Sequence, residues 1–563
     1  MSKKETFRPK YHVSIPSGWC NDPNGLIWRG GKGHLFFQHY PYMPAWGTMH
    51  WAHVVTEDFV KWDYLPVALV PDEPYEVICG CCSGSAIEKD GKLILMYTAA
   101  QPDQQRQCLA ESTDGITFEK YAKNPILTAA DLSPEVSNRD FRDPRVFKKG
   151  DWYYCIAGTR ILEKDRPFVY DGVRLPQVDG KNPAVLVHHW YTADSAVEPV
   201  FDDAFDASSV SPSAMPVSGA NYVSSGSVHH IAKSPSNIPV VGGSQDDFGW
   251  GNLILFRSKD LLSWEYVGKL MHRQPNIPEP FYNLNGVYEC PEYLDFGEKE
   301  VVLSSPQQLP MIGHEYENVN SVLYFAGKLN FETGQFLIDE IRELDAGFDF
   351  YAPQCMTTPD GRHVMIAWKE MWDRNYPTRP EGWAGTYTIP REVTWQKNHL
   401  YQWPVRELEG YRGEKAAAGE TVLTKDTFFP EGFAGDVVDF SCELDPQDAA
   451  RVGVVVFAGE QHETRIYYDQ QMKAVVFDRS RGGLGLRGQE QNVVTRICDI
   501  EPEETLRFRI LLDVSSCEVF INDGRYTITG NVYPDAEDTG IGFFADGGTA
   551  KLLHAEKYDL VID

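Results

Sequence analysis

The chain has 563 residues, with 52 Lys+Arg against 81 Asp+Glu, a formal net charge of −29 and a sequence pI near 4.9. That length exceeds what one hydrophobic core holds and calls for two domains. The acidity repels phosphate backbones and anionic lipid, which argues against nucleic-acid and membrane-surface partners. The first ten residues are charged and polar, without the apolar stretch of a secretory signal, and no run reaches the length of a membrane span. The 11 Cys, an odd number, include Cys79, Cys81 and Cys82. Read as reduced thiols, they imply a cytoplasmic protein. A metal there would need further ligands at suitable spacing, and none stands in the sequence, so neither a metal nor a cofactor is expected.

In chain order, the first distinctive stretch is Trp19-Cys20-Asn21-Asp22-Pro23-Asn24-Gly25. Pro fixes φ and Asn and Gly accept left-handed conformations, so the stretch reads as a tight turn between buried strands, holding Asp22 at their mouth. From Trp28 to about Pro404 the text is short strand-like runs between turn signals: His34–Tyr40, Leu93–Ala99, Trp152–Ala157, Leu253–Phe256, Val301–Ser304 and Val364–Trp368. Long amphipathic helices are hard to find, and the fold class is all-β. A repeat runs through it. Thr56-x-Asp58-x-x-x-Trp62, Ser112-x-Asp114-x-x-x-Phe118 and Ser258-x-Asp260-x-x-x-Trp264 share hydroxyl, Asp and aromatic positions, as the blades of a β-propeller do. The first two copies are 56 residues apart and the next two 146, so some 90 residues are inserted in the third unit, about 161–247.

A helix-compatible charged stretch, Arg406–Glu414, opens a linker over 406–419. From 420 to 563 strand-like alternation resumes (Val437–Phe440, Val452–Phe457, Thr464–Tyr468, Ala474–Phe477, Leu506–Leu512, Glu518–Ile521, Gly540–Phe544) at the spacing of a β-sandwich.

Two further stretches set a carboxylate beside a Pro: Phe141-Arg142-Asp143-Pro144 and Tyr288-Glu289-Cys290-Pro291. With the opening stretch they resemble, in order and spacing, the three acidic motifs of the invertases and fructosidases of glycoside hydrolase family 32. There they read Trp-Met-Asn-Asp-Pro-Asn-Gly, Arg-Asp-Pro and Glu-Cys. Asp513-x-Ser515-Ser516-x-Glu518-Val519-Phe520 resembles that family's C-terminal sandwich, so the likeness spans nearly the whole chain outside the insertion. It implies a five-bladed propeller over 1–405 followed by the sandwich. It also implies Asp22 as nucleophile, Glu289 as general acid and Asp143 as the carboxylate that binds fructose hydroxyls. Arg142 would hold these acids in place. Asn21, Gln38, Trp46 and Ser83 match sugar-contacting positions. Cys20 stands where the family usually has Met, and Cys82 where an aromatic usually precedes Ser-Gly-Ser.

Glycosidic cleavage needs one ionised and one protonated carboxyl. Asp22 in a turn can accept backbone N–H bonds that favour its ionised form, and Glu289 in apolar text should have a raised pKa. The partner expected is a small-molecule sugar: sucrose, sucrose 6-phosphate or a short fructan. Two other readings are an inverting propeller glycosidase of the arabinan or xylan type and a non-catalytic sugar-binding propeller. The sequence leaves open the 6-phosphate, the fructan length and whether the chain is a homo-oligomer. The insertion, which leaves the unit carrying Asp143, is expected to border the pocket and limit the length of fructan admitted.

Overall fold

The computed structural model describes residues 6–76, 79–101, 104–162, 169–170, 173–174, 249–277, 281, 286–372, 374–488 and 493–562. Up to Pro404 the chain builds antiparallel sheets in succession. The first is Gly18–Arg29, Lys32–Tyr40, His50–Thr56 and Asp63–Leu69, and the second Cys81–Lys89, Lys92–Gln101, Gln104–Ser112 and Glu119–Lys120. The third is Val136–Lys149, Trp152–Leu162, Gly249–Ser258 and Trp264–Lys269. The fourth is Tyr288–Asp295, Glu300–Pro306, Leu323–Leu329 and Phe336–Glu343, and the fifth Tyr351–Thr357, His363–Trp368, Arg391–Gln396 and His399–Pro404. The first strands of these sheets pack against one another in chain order, and Tyr351–Thr357 returns to pack on Gly18–Arg29. The ring is that of a β-propeller. Late in the chain, Trp383–Ala384 pairs in parallel with Gly18 and Trp19, tying the end of the ring to its start.

The hydroxyl–Asp repeat ends the third strand of the first three sheets. Thr56, Ser112 and Ser258 accept from Phe59, Gly115 and Leu261 N–H at 2.7, 2.8 and 2.9 Å. Asp58, Asp114 and Asp260 accept from the next two amides at 2.8–3.0 Å. Each pair thus satisfies the amides of a turn into the fourth strand.

The stretch Asn21–Gly25 is not a turn between strands. It runs inside the single twelve-residue strand Gly18–Arg29, whose register against Lys32–Tyr40 shifts between Cys20 and Pro23 and again between Asn24 and Ile27. Gly25 takes φ +54° there, so the turn chemistry makes bulges instead of a hairpin. Every first strand breaks register near the same end: between Cys82 and Gly84, Arg142 and Arg145, Glu289 and Glu292, and Tyr351 and Gln354. Three of these bulges hold an X-Pro step, with Asp143, Cys290 and Ala352 at φ +60°, +47° and +50° before Pro144, Pro291 and Pro353. Pro has no N–H to pair, and a bulge is where a sheet tolerates it. The extra residue turns side chains toward the axis.

The connections from second to third strands open at this bulged end, since Tyr40 pairs with Trp19, Pro306 with Tyr288 and Trp368 with Tyr351. In the third sheet that connection leaves at Leu162 and returns at Gly249, which pair directly. The insertion expected over 161–247 therefore springs from the bulged end. Apart from its edges and the short strands Val169–Tyr170 and Val173–Arg174, it lies outside the described residues.

The C-terminal part is a β-sandwich, one sheet of Arg412–Ala418, Thr421–Leu423, Ala550–Leu560, Val437–Asp445, Leu506–Asp513, Ser516–Ile521 and Tyr526–Asn531 facing a second of five strands. The segment read as linker is more than a connection. Arg406–Tyr411 is a 3₁₀ helix, and Arg412–Ala418 pairs with the last strand of the sandwich. Apolar residues of both sheets, among them Phe440, Val454, Phe477, Ile510, Val519 and Phe543, form its core.

Candidate active site

Three carboxylates from three bulged strands meet at the propeller axis. Asp22 and Asp143 are 8% and 6% exposed, and the Glu289 side chain is 14% exposed. One Asp22 oxygen, Oδ2, accepts a 2.7 Å hydrogen bond from Ser83 Oγ, with Cys290 Sγ 3.7 Å away. The other, Oδ1, is buried and has no hydrogen-bond partner among the described residues. Asp143 Oδ2 accepts from Cys290 N at 3.0 Å, and the Cys290 thiol lies 3.6 Å from it. Glu289 Oε1 accepts from Arg142 Nε at 2.9 Å and Oε2 from the Tyr351 hydroxyl at 2.5 Å.

The neighbours are fixed in turn. Arg142 Nη1 also donates to Asp140 Oδ1 at 3.0 Å and Gln105 Oε1 at 3.3 Å. Asp140 is held by Arg160 Nε at 2.7 Å as well. Burial works against the Asp140 charge, but Arg160 and Arg142 bring it down to about 2. Asp143 N donates to Thr98 Oγ1 at 2.9 Å, which fixes the left-handed residue.

A directional chain reaches Asp22 through Ser83. Trp19 Nε1 donates to Asn21 Oδ1 at 2.8 Å, and Asn21 Nδ2 contacts Gln38 Oε1 at 3.4 Å. Gln38 Nε2 then donates to Ser83 Oγ at 2.6 Å, which leaves the Ser83 proton for Asp22. The Tyr387 hydroxyl donates to Asn21 O at 2.6 Å and anchors the same strand.

Burial dominates the electrostatics. It lifts Asp22 above its usual range, with Ser83, Asn21 and Cys290 donors pulling it back. Side chains of other residues supply most of the donors expected from a turn, with Asp22's own backbone amide the smallest, and together they do not outweigh burial. Burial pushes Glu289 up to about 7, opposed by Arg142 and reinforced by Asp143 and Asp22. Burial likewise lifts Asp143 to about 6, with Arg142 lowering it and Asp22 raising it. Arg142 loses by burial but is held firmly protonated by Glu289, Asp140 and Asp143.

Of the residues named from the sequence, Asp22, Asp143, Glu289, Arg142, Asn21, Gln38 and Ser83 form this one hydrogen-bonded cluster. Trp46 stands outside it, half-buried against the core that contains Trp19 and Met49. Tyr351, Gln105, Thr98 and Asp140 belong to the cluster and were not singled out from the sequence. For Tyr351 a signal existed. Tyr351-Ala352-Pro353 carries the same X-Pro punctuation as Asp143-Pro144 and Cys290-Pro291. Among the described residues, one group has His and carboxylate atoms close enough to share a metal ion: His462, Asp535 and Asp538, in the sandwich.

Comparison with known proteins agrees along the chain. "Glycosyl hydrolases family 32 N-terminal domain" matches residues 12–175 and 230–404, and "Glycosyl hydrolases family 32 C terminal" matches 407–559. The sucrose-6-phosphate hydrolase of Zymomonas mobilis is 30% identical over 567 residues, covering 98% of this chain and 92% of the relative. The raffinose invertase of Escherichia coli is 30% identical over 558 residues, covering 97% and 94%. Among solved structures, a family 32 β-fructofuranosidase of Bombyx mori superposes with a TM-score of 0.70 at 26% identity, covering 99% of this chain and 95% of the other. With both its propeller and its sandwich matched, the chain belongs to glycosyl hydrolase family 32.

Proposed function

We propose that this glycosidase is a retaining β-fructofuranosidase that releases terminal fructosyl units from sucrose, sucrose 6-phosphate or short fructans. The observation that carries this reading is the inequality of its carboxyls. Asp22 has one oxygen held and one unpartnered, while Glu289 is poised to carry a proton near neutral pH. The relatives' names, sucrose-6-phosphate hydrolase and raffinose invertase, support the substrate class.

In the first step Asp22 Oδ1 attacks the anomeric carbon as Glu289 gives its proton to the departing oxygen, leaving a fructosyl ester on Asp22. In the second, Glu289 takes a proton from water, which attacks the same carbon and returns Asp22 as carboxylate. Arg142 and Tyr351 donate to Glu289 throughout and stabilise the charge it acquires between the steps. Asp143, beside them and held by Cys290 N, is placed to accept from fructose hydroxyls. Retention by this route requires about 5–5.5 Å between the Asp22 and Glu289 carboxyl groups.

The reading as a cytoplasmic enzyme rests on the eleven cysteines, none of which is in a disulfide. Among the described residues no helix is long and apolar enough to cross a membrane.

The test is fructose release from sucrose, sucrose 6-phosphate and short fructans across pH. Activity should fall on the alkaline side as pH passes about 7, where Glu289 loses its proton. On the acid side it should fall at a pH above the usual carboxylate range, because Asp22 is raised. Glu289→Gln should abolish the alkaline limb and spare only the first step on activated aryl fructosides, the second recovering with added azide. No fructose from any of the three substrates would refute the reading.

A further inference from the structure

The cysteine cluster 79–82 takes no part in the chemistry above, yet it runs directly into Ser83, the residue that donates to Asp22. Cys79-Gly80-Cys81-Cys82 is a C-x-x-C sequence. Gly80 turns it back on itself at φ +83°, where an added Cβ would lie 2.3 Å from both Met49 N and Met49 O. Met49 N and O are bonded to Cys79 O and Cys81 N at 2.9 Å, so the turn is clamped from both sides. The tight turn brings the outer two side chains together. The Cys82 thiol is hydrogen-bonded to Cys79 and lies 3.8 Å from Cys79 O and 3.9 Å from Gly80 O. Of the eleven cysteines, ten are buried and Cys82 is the one that is partly exposed.

Cys82 is also tied to the carboxylates. The charge of Asp143 acts on its sulfur. The next residue, Ser83, sits at the register break of its strand and donates to Asp22 Oδ2 at 2.7 Å. Trp51 Nε1 donates to Cys81 O and Cys82 O at 3.1 and 3.2 Å, so it holds the peptides on both sides of Cys82, including the one that carries Ser83 N.

We infer that Cys79 and Cys82 are an oxidisable dithiol, a modification site for low-molecular-weight disulfides, whose closure withdraws Ser83 from Asp22 and switches the enzyme off. The exposed Cys82 thiol attacks the small disulfide, giving up its proton and releasing one equivalent of thiol. Cys79 then displaces the second equivalent from the mixed disulfide and loses its own proton. Two protein thiols are oxidised to one disulfide and one small disulfide is reduced to two thiols. Bonding at about 2.05 Å draws Cys82 toward Cys79 from hydrogen-bonding distance. The Met49 clamp fixes the Cys79 side, so Cys82 yields, breaks its carbonyl's contact with Trp51 and carries Ser83, the next residue, with it. Contact with Cys79 and then burial hold the Cys82 thiol well above its ordinary range. Closure is therefore slow at neutral pH and quickens in alkali.

The proposal goes beyond the fructosidase reading, and the chemical readout separates the two. The reduced protein is incubated with oxidised glutathione, alkylated and peptide-mapped, with sucrose hydrolysis followed in parallel. The expected results are a Cys79–Cys82 disulfide, a fall in activity of about tenfold or more, and recovery with dithiothreitol. Cys82→Ser should take up no glutathione in this segment, and Cys79→Ser should stop at the glutathione mixed disulfide on Cys82. Either of two outcomes overturns the proposal: both thiols still alkylated after treatment at pH 8.5 or so, or the disulfide formed with activity unchanged. If a variant fails to fold, the map and recovery on the parent chain still decide. A disulfide formed in a protein that released no fructose from sucrose, sucrose 6-phosphate or short fructans would count against the fructosidase reading and against the switch, leaving only the modification site.

Discussion

Asp22 presents two unequal oxygens, and that inequality organises its surroundings. Ser83 holds Oδ2 through a proton it can spare only because Gln38 donates to it. Replacing Ser83 by Ala removes a hydrogen bond to a charged group, worth roughly 1.5–3 kcal/mol, or about ten- to a hundredfold in kcat/KM. The lost donor favoured the ionised form, so the acid limb of the pH profile should also move to higher pH. A lower kcat/KM with an unmoved limb would make Ser83 a sugar contact and not a partner of Asp22. The identities of Asn21, Gln38 and Ser83 were legible in the sequence through resemblance. Their linkage was not, because it joins strands of two different sheets and no local pattern records which side chain donates to which.

At the scale of the element, the second strands were easy to read and the first strands were not. His34–Tyr40 and Val301–Ser304 are rich in β-branched and aromatic residues and lie inside observed strands. Gly18–Arg29 carries Asn, Asp, Pro, Asn and Gly in succession, which local propensity reads as a turn. Tertiary packing overrides it. The neighbouring first strands close a ring around that segment, and its turn residues serve as bulges. The residues that spoil the strand signal are those that aim chemistry at the axis.

One such strand, Tyr288–Asp295, also buries Glu292, with Arg145 Nε 3.1 Å from its Oε2. Burial lifts Glu292 to about 8, against the pull of Arg145 and the Cys355 amide. Its folded pKa lies above the ordinary carboxylate value, near 4.3 in the unfolded chain, so the protein loses stability as pH rises from there through about 8. Glu292→Gln keeps the shape and removes the titration. Its melting temperature should match the parent's near pH 5 and exceed it increasingly toward pH 8. A variant that melts lower than the parent by the same amount at every pH would show Glu292 to be ionised and paired with Arg145.

The whole molecule is held together by buried charge across the propeller and the sandwich. Arg391 on the propeller donates to Glu518 Oε2 from Nε at 3.1 Å and Nη2 at 2.5 Å, to Asp345 Oδ2 at 2.9 Å and to Thr529 Oγ1 at 2.6 Å. His12, near the start of the chain, stands between Asp513 at 2.7 Å and Glu518 at 2.8 Å. Glu518 is penalised by burial, but Arg391 and His12 bring it down to about 2. Its contribution to stability is therefore full above the ordinary carboxylate range and fades as pH falls toward about 2. Removing one partner of such a pair leaves a buried charge alone and costs about 3–5 kcal/mol. Arg391→Met should lower the melting temperature markedly and split a single calorimetric transition into two. A single transition at the parent's temperature would mean that the interface does not depend on this cluster. Both parts were legible from strand spacing, but their joint was not, since Arg391, Asp345 and Glu518 are scattered over more than a hundred residues of ordinary text.

The proposed mechanism turns on a covalent bond between Asp22 and the sugar. The most direct measurement uses the Glu289→Gln protein with an activated aryl fructoside, quenched in acid within the first turnovers and mapped by mass spectrometry. The substituted amide cannot activate water, so the fructosyl ester should accumulate as one hexosyl adduct on the peptide that contains Asp22, released on adding azide. An adduct on any other residue, or aryl alcohol released in a stoichiometric burst with Asp22 unmodified, would contradict the mechanism.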